Sequence, residues 1–159
     1  MRLSLLLLAV GLLAGCSSIR PYPNNLDKNL QIRTETGSGS IFSSTRASVG
    51  IYRVDGQCRI EYEGTIDLDK PVVLAGLPSD RLSYLIFSFF SSSLFGHART
   101  SMSQETLLRT RTSYSYQIDV SYRNSIYNVV VREHYPRKRG SREIDLRRLD
   151  ACREIVARR

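Results

Sequence analysis

The sequence is poor in the side chains that carry out catalysis or bind metal ions. Its 159 residues contain two histidines, His97 and His134, together with three cysteines and no tryptophan. No Gly-x-Ser-x-Gly nucleophile elbow occurs, and two distant histidines do not form a recognised zinc-ligand spacing. We therefore expect a non-catalytic protein without a metal ion or other cofactor. A cell-wall hydrolase or esterase is the alternative, and it depends on His97 having a carboxylate or nucleophile beside it.

The sequence also lacks an apolar run long enough to cross a bilayer. The run Leu3–Leu13 is interrupted by Ser4 and Gly11, whereas a spanning helix needs roughly 18 or more apolar residues. A short apolar run that follows a basic residue, here Arg2, is typical of a signal peptide. We interpret residues 1–15 as a targeting segment that is removed.

This segment ends at Leu13-Ala14-Gly15-Cys16, which resembles the lipobox of bacterial prolipoproteins. The resemblance implies that the Cys16 thiol takes a diacylglycerol, that the chain is cut before Cys16, and that the new amine is acylated, for example with palmitate. Two or more acyl chains hold a protein stably on a membrane. The same resemblance suggests the outer membrane, because Ser17 and not Asp follows the cysteine. An ordinary secretory signal that precedes a cysteine by chance is the alternative.

Acidic side chains are fewer than basic ones. Removal of residues 1–15 takes Arg2 from the 23 basic side chains and leaves 22 against 15 acidic ones, so the mature chain has a formal charge of +7. Its length of about 144 residues fits one domain. A basic protein in the envelope meets anionic phospholipid head groups, lipopolysaccharide phosphates and peptidoglycan carboxylates. Nucleic acid is not an expected partner in that compartment.

Two cysteines remain once Cys16 carries lipid. Cys58 and Cys152 are far apart in the sequence, and the periplasm permits disulfides. We expect them to be bridged, which in the chain-entropy model stabilises the fold by roughly 4 to 5 kcal/mol. Two buried free thiols are the alternative.

The segment after the lipidated cysteine has the composition of a linker. Residues 17–28 contain two prolines and two asparagines and show no hydrophobic period. We expect residues 16–28 to form the lipidated N-terminus and a flexible tether, and residues 29–159 to form a single domain. At ~3.3 to 3.6 Å per extended residue, this tether could lift the domain about 40 Å from the bilayer.

Alternation of apolar and polar residues dominates the domain. It is clearest from Cys58 to Asp69 and from Ser113 to Tyr122, as in half-buried antiparallel strands. The second segment continues through a short turn into Ile126–Glu133, which predicts a hairpin. Weaker strand patterns occur at Leu30–Thr36, Ala47–Val54, Val72–Ala75, Arg81–Phe90 and Thr106–Thr112. These segments predict a mainly β fold, an antiparallel β-sandwich of about seven strands, immunoglobulin-like or related, with a C-terminal α-helix.

Two segments depart from the alternation. Leu82–Phe90 is apolar on both faces, which predicts a central strand, because an exposed edge of this kind invites aggregation. Near the C-terminus, apolar residues recur at helical spacing, at Leu146, Leu149, Cys152, Ile155 and Val156. They predict a helix over about residues 143–157, with Asp145 as N-cap and a staple between Ile144 and Leu149.

Two surface segments are candidates for partner binding. The turn after Pro136 carries Arg137, Lys138, Arg139 and Arg142, and near an anionic surface each cation contributes about 1 kcal/mol. A solvated basic turn without a partner is the alternative.

The second candidate is the loop from Ser91 to Gln104, in which small polar residues flank Leu94 and Phe95. An apolar tip on a polar loop indicates a partner contact. A strand that continues and buries Leu94 and Phe95 in the core is the alternative.

Together these features predict an outer-membrane lipoprotein that faces the periplasm and acts as a non-catalytic binding or assembly module, accessory to an envelope or secretion complex. The expected partner is an envelope protein, and an anionic glycan or lipid is the alternative ligand. A lysozyme inhibitor is a further alternative, ranked last because lysozymes are mostly basic and a basic domain would repel them.

Replacement of Cys16 by serine is expected to abolish lipidation, because only a thiol forms the thioether. Wild-type protein from a bacterial host should sediment with membranes and have the mass of an acylated chain that begins at Cys16. The Cys16→Ser variant should lack that mass and leave the membrane fraction after cleavage. A wild-type chain that is cut but not acylated would contradict the lipobox interpretation.

Overall fold

The computed structural model describes residues 19–36, 43–93, 99–123, 126–137 and 139–157 of the chain. These residues form nine strands and one short helix. The strands are β1 (Leu30–Thr36), β2 (Ser43–Val54), β3 (Ile60–Asp67), β4 (Val72–Ala75), β5 (Leu82–Ser93), β6 (Arg99–Arg109), β7 (Ser115–Arg123), β8 (Ile126–His134) and β9 (Ser141–Ile144). A 3-10 turn (Leu149–Ala151) leads into helix α1 (Cys152–Ala157).

Two sheets pack against each other as a sandwich. One has the strand order β4-β1-β7-β8-β9, and the other has the order β3-β2-β5-β6. The predicted mainly β sandwich with a C-terminal helix is confirmed, with nine strands in the described residues where about seven were expected. One pairing is not antiparallel as expected, because β1 and β7 run parallel. The long connection between them places no constraint on their relative direction, unlike the short turn of a hairpin.

Strand β5 is central in the four-stranded sheet, as its apolar pattern predicts. On one face Leu85, Phe87 and Phe89 are fully buried in the core between the sheets. On the other face Tyr84 and Ile86 pack in a second apolar cluster that includes residues of α1. Both faces of β5 are therefore covered as far as Ile86, which explains why neither is polar there, whereas Phe90 at its far end is exposed on the outer face.

The C-terminal helix begins later than the sequence pattern indicates. Helical structure starts at Leu149 and not at about residue 143, so Asp145 is not its N-cap. Ile144 ends β9 opposite Val131 of β8 and packs against the main core. The edge of β8 offers hydrogen-bond partners to the backbone of residues 141–144. In the first turn of a helix, the backbone N–H groups of these residues would have no such partners. The strand pairing therefore replaces the predicted staple between Ile144 and Leu149.

Beyond β9, the chain covers the edge of β6. The backbone N–H of Leu107 donates a hydrogen bond of 2.7 Å to the carbonyl of Arg147. Arg148 Nε then donates to Glu105 Oε1 at 3.0 Å, and the Tyr84 hydroxyl donates to the same carboxylate. The hydrogen bond from Tyr84, together with Arg148, holds the pKa of the Glu105 carboxyl below its usual value. These bonds fix the approach to α1.

Cys58 and Cys152 form the disulfide that the sequence predicts. Cys58 lies in the turn before β3, with a φ of 62°, and not on the strand itself. The Asp55 carboxylate shapes this turn by accepting hydrogen bonds from the backbone N–H groups of Gln57 and Arg59, at 2.8 and 2.9 Å. Cys152 begins α1 and is fully buried. The bridge thus joins the helix to one end of the four-stranded sheet.

Most of the predicted tether belongs to the folded domain. We call residues 20–29 the strap. The backbone N–H of Thr65 in β3 donates to the Arg20 carbonyl, and the Tyr22 N–H donates to the Thr65 carbonyl, both at 2.9 Å. Asn29 exchanges two hydrogen bonds with the backbone of Leu77, at 2.7 and 2.8 Å. The expectation of a free tether is therefore wrong from Arg20 onward, because an edge strand supplied backbone partners that composition does not reveal.

Removal of the disulfide is expected to destabilise the domain strongly. Cys58 and Cys152 are separated by 94 residues, and in the chain-entropy model a bridge over such a loop contributes roughly 4 to 5 kcal/mol. Urea denaturation of the Cys58→Ala/Cys152→Ala variant should show this loss in the free energy of unfolding. A reductant should destabilise the wild type and leave the variant unchanged. A difference below about 1 kcal/mol would contradict this role of the bridge.

Candidate partner-binding surfaces

The two ends of the sandwich differ in chemistry. We call the end where β5 connects to β6 and β7 connects to β8 the hairpin end. The opposite end, which carries Cys58 and the turn between β8 and β9, is the disulfide end. The strand directions place each candidate segment on one of these ends. Strands β5 and β6, which precede and follow the apolar segment in the chain, meet at the hairpin end, and Arg137, Arg139 and Arg142 of the basic turn are on the disulfide end.

Aromatic rings fill the hairpin end between the sheets. Phe89 of the four-stranded sheet contacts Tyr127 of the five-stranded sheet, with ring centroids 4.3 Å apart. Tyr127 also stacks on Tyr122, its cross-strand partner, at 4.3 Å and an interplanar angle of 16°. These three rings join the two sheets and make this end rigid, since such pairs add to the stabilisation from burial.

Large apolar side chains are exposed around the same end. Phe90 is 56% exposed on the outer face of the four-stranded sheet, Met102 is 43% exposed on the edge strand β6, and Ile126 is 69% exposed at the start of β8. We call Phe90, Met102 and Ile126 the apolar collar. Phe90 and Ile126 lie on the outer faces of different sheets, since their neighbours Phe89 and Tyr127 face the core, so the collar surrounds this end and is not one continuous patch. Single exposed apolar residues are ordinary, and three around one end of a domain make that end a candidate contact surface.

The predicted apolar tip, Leu94 and Phe95, lies outside the described residues, as does His97. The strands that lead to it are described, and they are longer than expected. Strand β5 continues to Ser93 and β6 begins at Arg99, so most of the predicted loop from Ser91 to Gln104 is a strand hairpin. The register pairs Phe89 with Met102 across this hairpin. Leu94 and Phe95 therefore connect two strands that carry collar residues.

A buried carboxylate organises the disulfide end. Glu133 of β8 is 1% exposed. Its Oε2 accepts a hydrogen bond of 2.8 Å from Arg142 Nε, and its Oε1 accepts one of 3.1 Å from the Tyr116 hydroxyl. Arg111 Nε lies 3.9 Å from Oε1. Burial raises the pKa of the Tyr116 phenol, so this hydroxyl remains a donor. A buried charge of this kind is tolerated only when it is paired.

The arginines of the basic turn therefore differ in their contacts. Arg142 donates to the buried Glu133, so its charge compensates that carboxylate, while the Arg142 side chain itself is 51% exposed. Arg137 and Arg139 are exposed and have no ion-pair partner among the described residues, while Lys138 lies outside them. The turn begins beside Tyr135, whose ring meets Tyr114 edge-on at 6.0 Å.

A cleft that sequence reasoning missed lies between the strap and β3. It has a volume of 330 Å³ and is bordered by two ion pairs, Arg53 with Glu61 and Arg81 with Glu63. Burial, and then the Glu63 carboxylate, raise the pKa of the Tyr22 phenol to about 12. The acidic residues alternate along β3 as the sequence indicates. No sequence signal placed the strap beside them, because its composition is that of a linker.

The candidate catalytic histidine within the described residues is His134. It ends β8, half-buried, between Ser115 and Ser141 of the neighbouring strands. Among the described residues, no group of three or more His, Cys, Asp and Glu side chains is placed to hold a metal ion. Asp67 and Asp69, at the end of β3 and beyond it, border a cleft with Arg46.

The lipidation residue Cys16 lies outside the described part of the chain. In that described part, no helix has the length and apolar character required to traverse a lipid bilayer. A search against protein-family models finds none that matches this chain, and a search of curated proteins also finds no match.

Proposed function

We propose that this protein is a lipid-anchored, non-catalytic assembly module of the bacterial envelope, held on the outer membrane through Cys16, and that it binds an envelope protein through its hairpin end. The observation that carries the proposal is the apolar collar. Phe90, Met102 and Ile126 are exposed at the end of the sandwich where β5 and β6 meet, the two strands that Leu94 and Phe95 link in the sequence.

The contrast between the ends supports this choice. At the disulfide end, most charged groups serve the fold: Glu133 is held by Arg142, Glu63 by Arg81 and Asp55 by Arg59. At the hairpin end, a rigid aromatic base carries apolar side chains that the domain itself leaves in water. Exposed apolar anchors on a rigid base are the usual centre of a protein interface. Their burial removes apolar surface from water, and a rigid base loses little conformational entropy on binding.

An anionic glycan or lipid ligand for the basic turn is the second candidate. It rests on the exposure of Arg137 and Arg139, which have no ion-pair partner among the described residues. Two or three such cations contribute about 1 kcal/mol each near an anionic surface. This affinity is lower than a buried apolar contact supplies, so we place the glycan or lipid second.

A photoreactive phenylalanine analogue in place of Phe90 or Ile126 is expected to form a discrete covalent adduct with one envelope protein in intact cells. Ile60 gives the control, because it is also an exposed apolar residue, at 43% against 56% for Phe90, but lies at the disulfide end. The analogue at position 60 should give no such adduct. Gel electrophoresis and mass spectrometry of the adducts measure the outcome.

The Leu94→Ala/Phe95→Ala change should lower the adduct yield from position 126 by about tenfold or more, which corresponds to the loss of about 1.4 kcal/mol of binding free energy. Thermal unfolding of this variant should match that of the wild type. Equal adducts from positions 60 and 90 would contradict the proposal. A second result would also contradict it: no adduct forms, and the wild-type protein binds purified cell wall while the Arg137→Ala/Arg139→Ala variant does not. That result would favour the glycan ligand.

A further inference from the structure

The strap closes one open side of the sandwich. That side lies between the edges of β3 and β4, where residues 21–24 border a cleft of 250 Å³ together with residues 65–67 and 73–75. Its backbone pairs with β3 around Thr65. The Tyr22 hydroxyl reaches across and donates a hydrogen bond of 3.1 Å to the carbonyl of Gly76, just after β4. The strap is thus held to both sheets.

Two glycines make room for this path. A Cβ atom at Gly64 would lie 2.6 Å from the Tyr22 Cα, and Gly64 has a φ of 152°, which side-chain-bearing residues rarely adopt. A Cβ atom at Gly76 would lie 2.5 Å from the carbonyl oxygen of Asp27 and 2.6 Å from the Leu26 Cβ. The backbone of the strap occupies the space that two side chains would fill, so its position is specific.

The docked strap shortens the connection to the membrane. If Cys16 carries the lipid, as the proposed function holds, three residue steps separate it from Ile19. At ~3.3 to 3.6 Å per extended residue this distance is at most about 11 Å, in place of the roughly 40 Å of a free tether. Such a short link does not let the domain turn freely, and the side that carries the strap must lie near the bilayer.

Apolar residues are exposed on that side. Val72 and Leu74 of the edge strand β4 are 46% and 54% exposed, and Ile19, where the described chain begins, is 73% exposed. Exposed cations and anions are nearly balanced nearby, with four cations, Arg20, Lys28, Arg33 and Lys70, against three anions, Asp27, Asp67 and Asp69. Electrostatic attraction to anionic lipid therefore does not explain why this side would face the membrane. Its exposed apolar residues and the short link to Cys16 are the reasons.

We propose that the β3–β4 side of the sandwich rests on the surface of the bilayer that holds the Cys16 lipid, with Val72 and Leu74 at the interface. This proposal rests on the lipid anchor of the proposed function. It gives the domain a fixed orientation, in which the edge strands β6 and β9 face away from the membrane. The apolar collar then lies to the side of the domain, within reach of a neighbouring protein in the same membrane.

Tryptophan fluorescence tests the orientation, because the sequence contains no tryptophan. Leu74 and Glu143 lie in one cross-strand row of the five-stranded sheet, through Gln31, Gln117 and Arg132, at its opposite edges. Four strand spacings separate them by about 19 Å. In the acylated mature protein, the Leu74→Trp and Glu143→Trp variants thus place a tryptophan on the same face of the sheet at two different expected distances from the bilayer.

Each variant is placed in phosphatidylethanolamine and phosphatidylglycerol vesicles whose acyl chains carry bromine, a short-range quencher. The Leu74→Trp variant should lose most of its fluorescence relative to unbrominated vesicles, and the Glu143→Trp variant should lose almost none. Adding Tyr22→Ala to Leu74→Trp removes the bond to Gly76, and the loss should become much smaller. Thermal unfolding confirms that the sandwich remains folded.

Equal quenching of the two variants, or stronger quenching from position 143, would overturn the orientation. Mass spectrometry of the same samples separates this result from a failure of the proposed function. An acylated Cys16 with equal quenching leaves the lipoprotein in place and refutes the fixed orientation alone. A chain without acyl groups, which also stays off the vesicles, refutes the anchor on which both proposals rest.

Discussion

The open sides of the sandwich are the constraint on which the rest of this structure depends. Two stacked sheets expose the unpaired backbone groups of their edge strands, and an open edge invites pairing with another chain. Here each open side is covered by a terminal segment of the same chain. The strap covers the β3–β4 side through Thr65, and the segment before α1 covers the edge of β6 through Leu107 and Arg147.

With the open sides covered by terminal segments, the two ends of the sandwich differ in how they are stabilised and in what they expose. The disulfide end is fixed by the Cys58–Cys152 bridge and by the buried Glu133, whose charge requires Arg142 and the hydroxyl of Tyr116. The hairpin end is fixed by ring contacts, so it needs no charged groups inside and carries apolar side chains outside. The proposed assembly role draws on this difference, because a preorganised contact surface lowers the entropic cost of binding a partner.

Much of the fold could be predicted from the period of the sequence. Strands β1 and β4 have the predicted bounds, the β7–β8 hairpin and the disulfide are present, and β5 is central because both of its faces are apolar. The alternation of apolar and polar residues does not reveal which strands lie at the edge of a sheet or which backbone groups there find a partner. Ile60 and Tyr62 belong to the predicted apolar face of β3 but are 43% and 37% exposed. A shift in the register with β2 between Ile51 and Tyr52 turns them to the outer face of the sheet, and the alternation of the sequence does not show this bulge.

The same limit explains the larger errors. The strap, strand β9 and the late start of α1 all arise where an edge strand recruits a segment whose composition indicates a tether or a helix. For the candidate sites, charge and polarity identify the basic turn, but not that Arg142 pairs with a buried glutamate. The alternation places Glu133 on the same face as Val129 and Val131, but a glutamate near the end of a strand gives no sign by itself that it is buried and paired. The collar residue Met102 was missed for a related reason: the first residues of β6 have the composition of a polar loop.

Hydrogen exchange of backbone amides in the mature chain tests most directly whether the terminal segments complete the fold. The Tyr22 amide, which bonds to Thr65, and the Leu107 amide, which bonds to Arg147, should exchange far more slowly than exposed amides and open only with the sandwich. If the Tyr22 amide instead exchanges at the rate of a free peptide while Leu107 is protected, the strap is a flexible tether and this account of the fold is wrong.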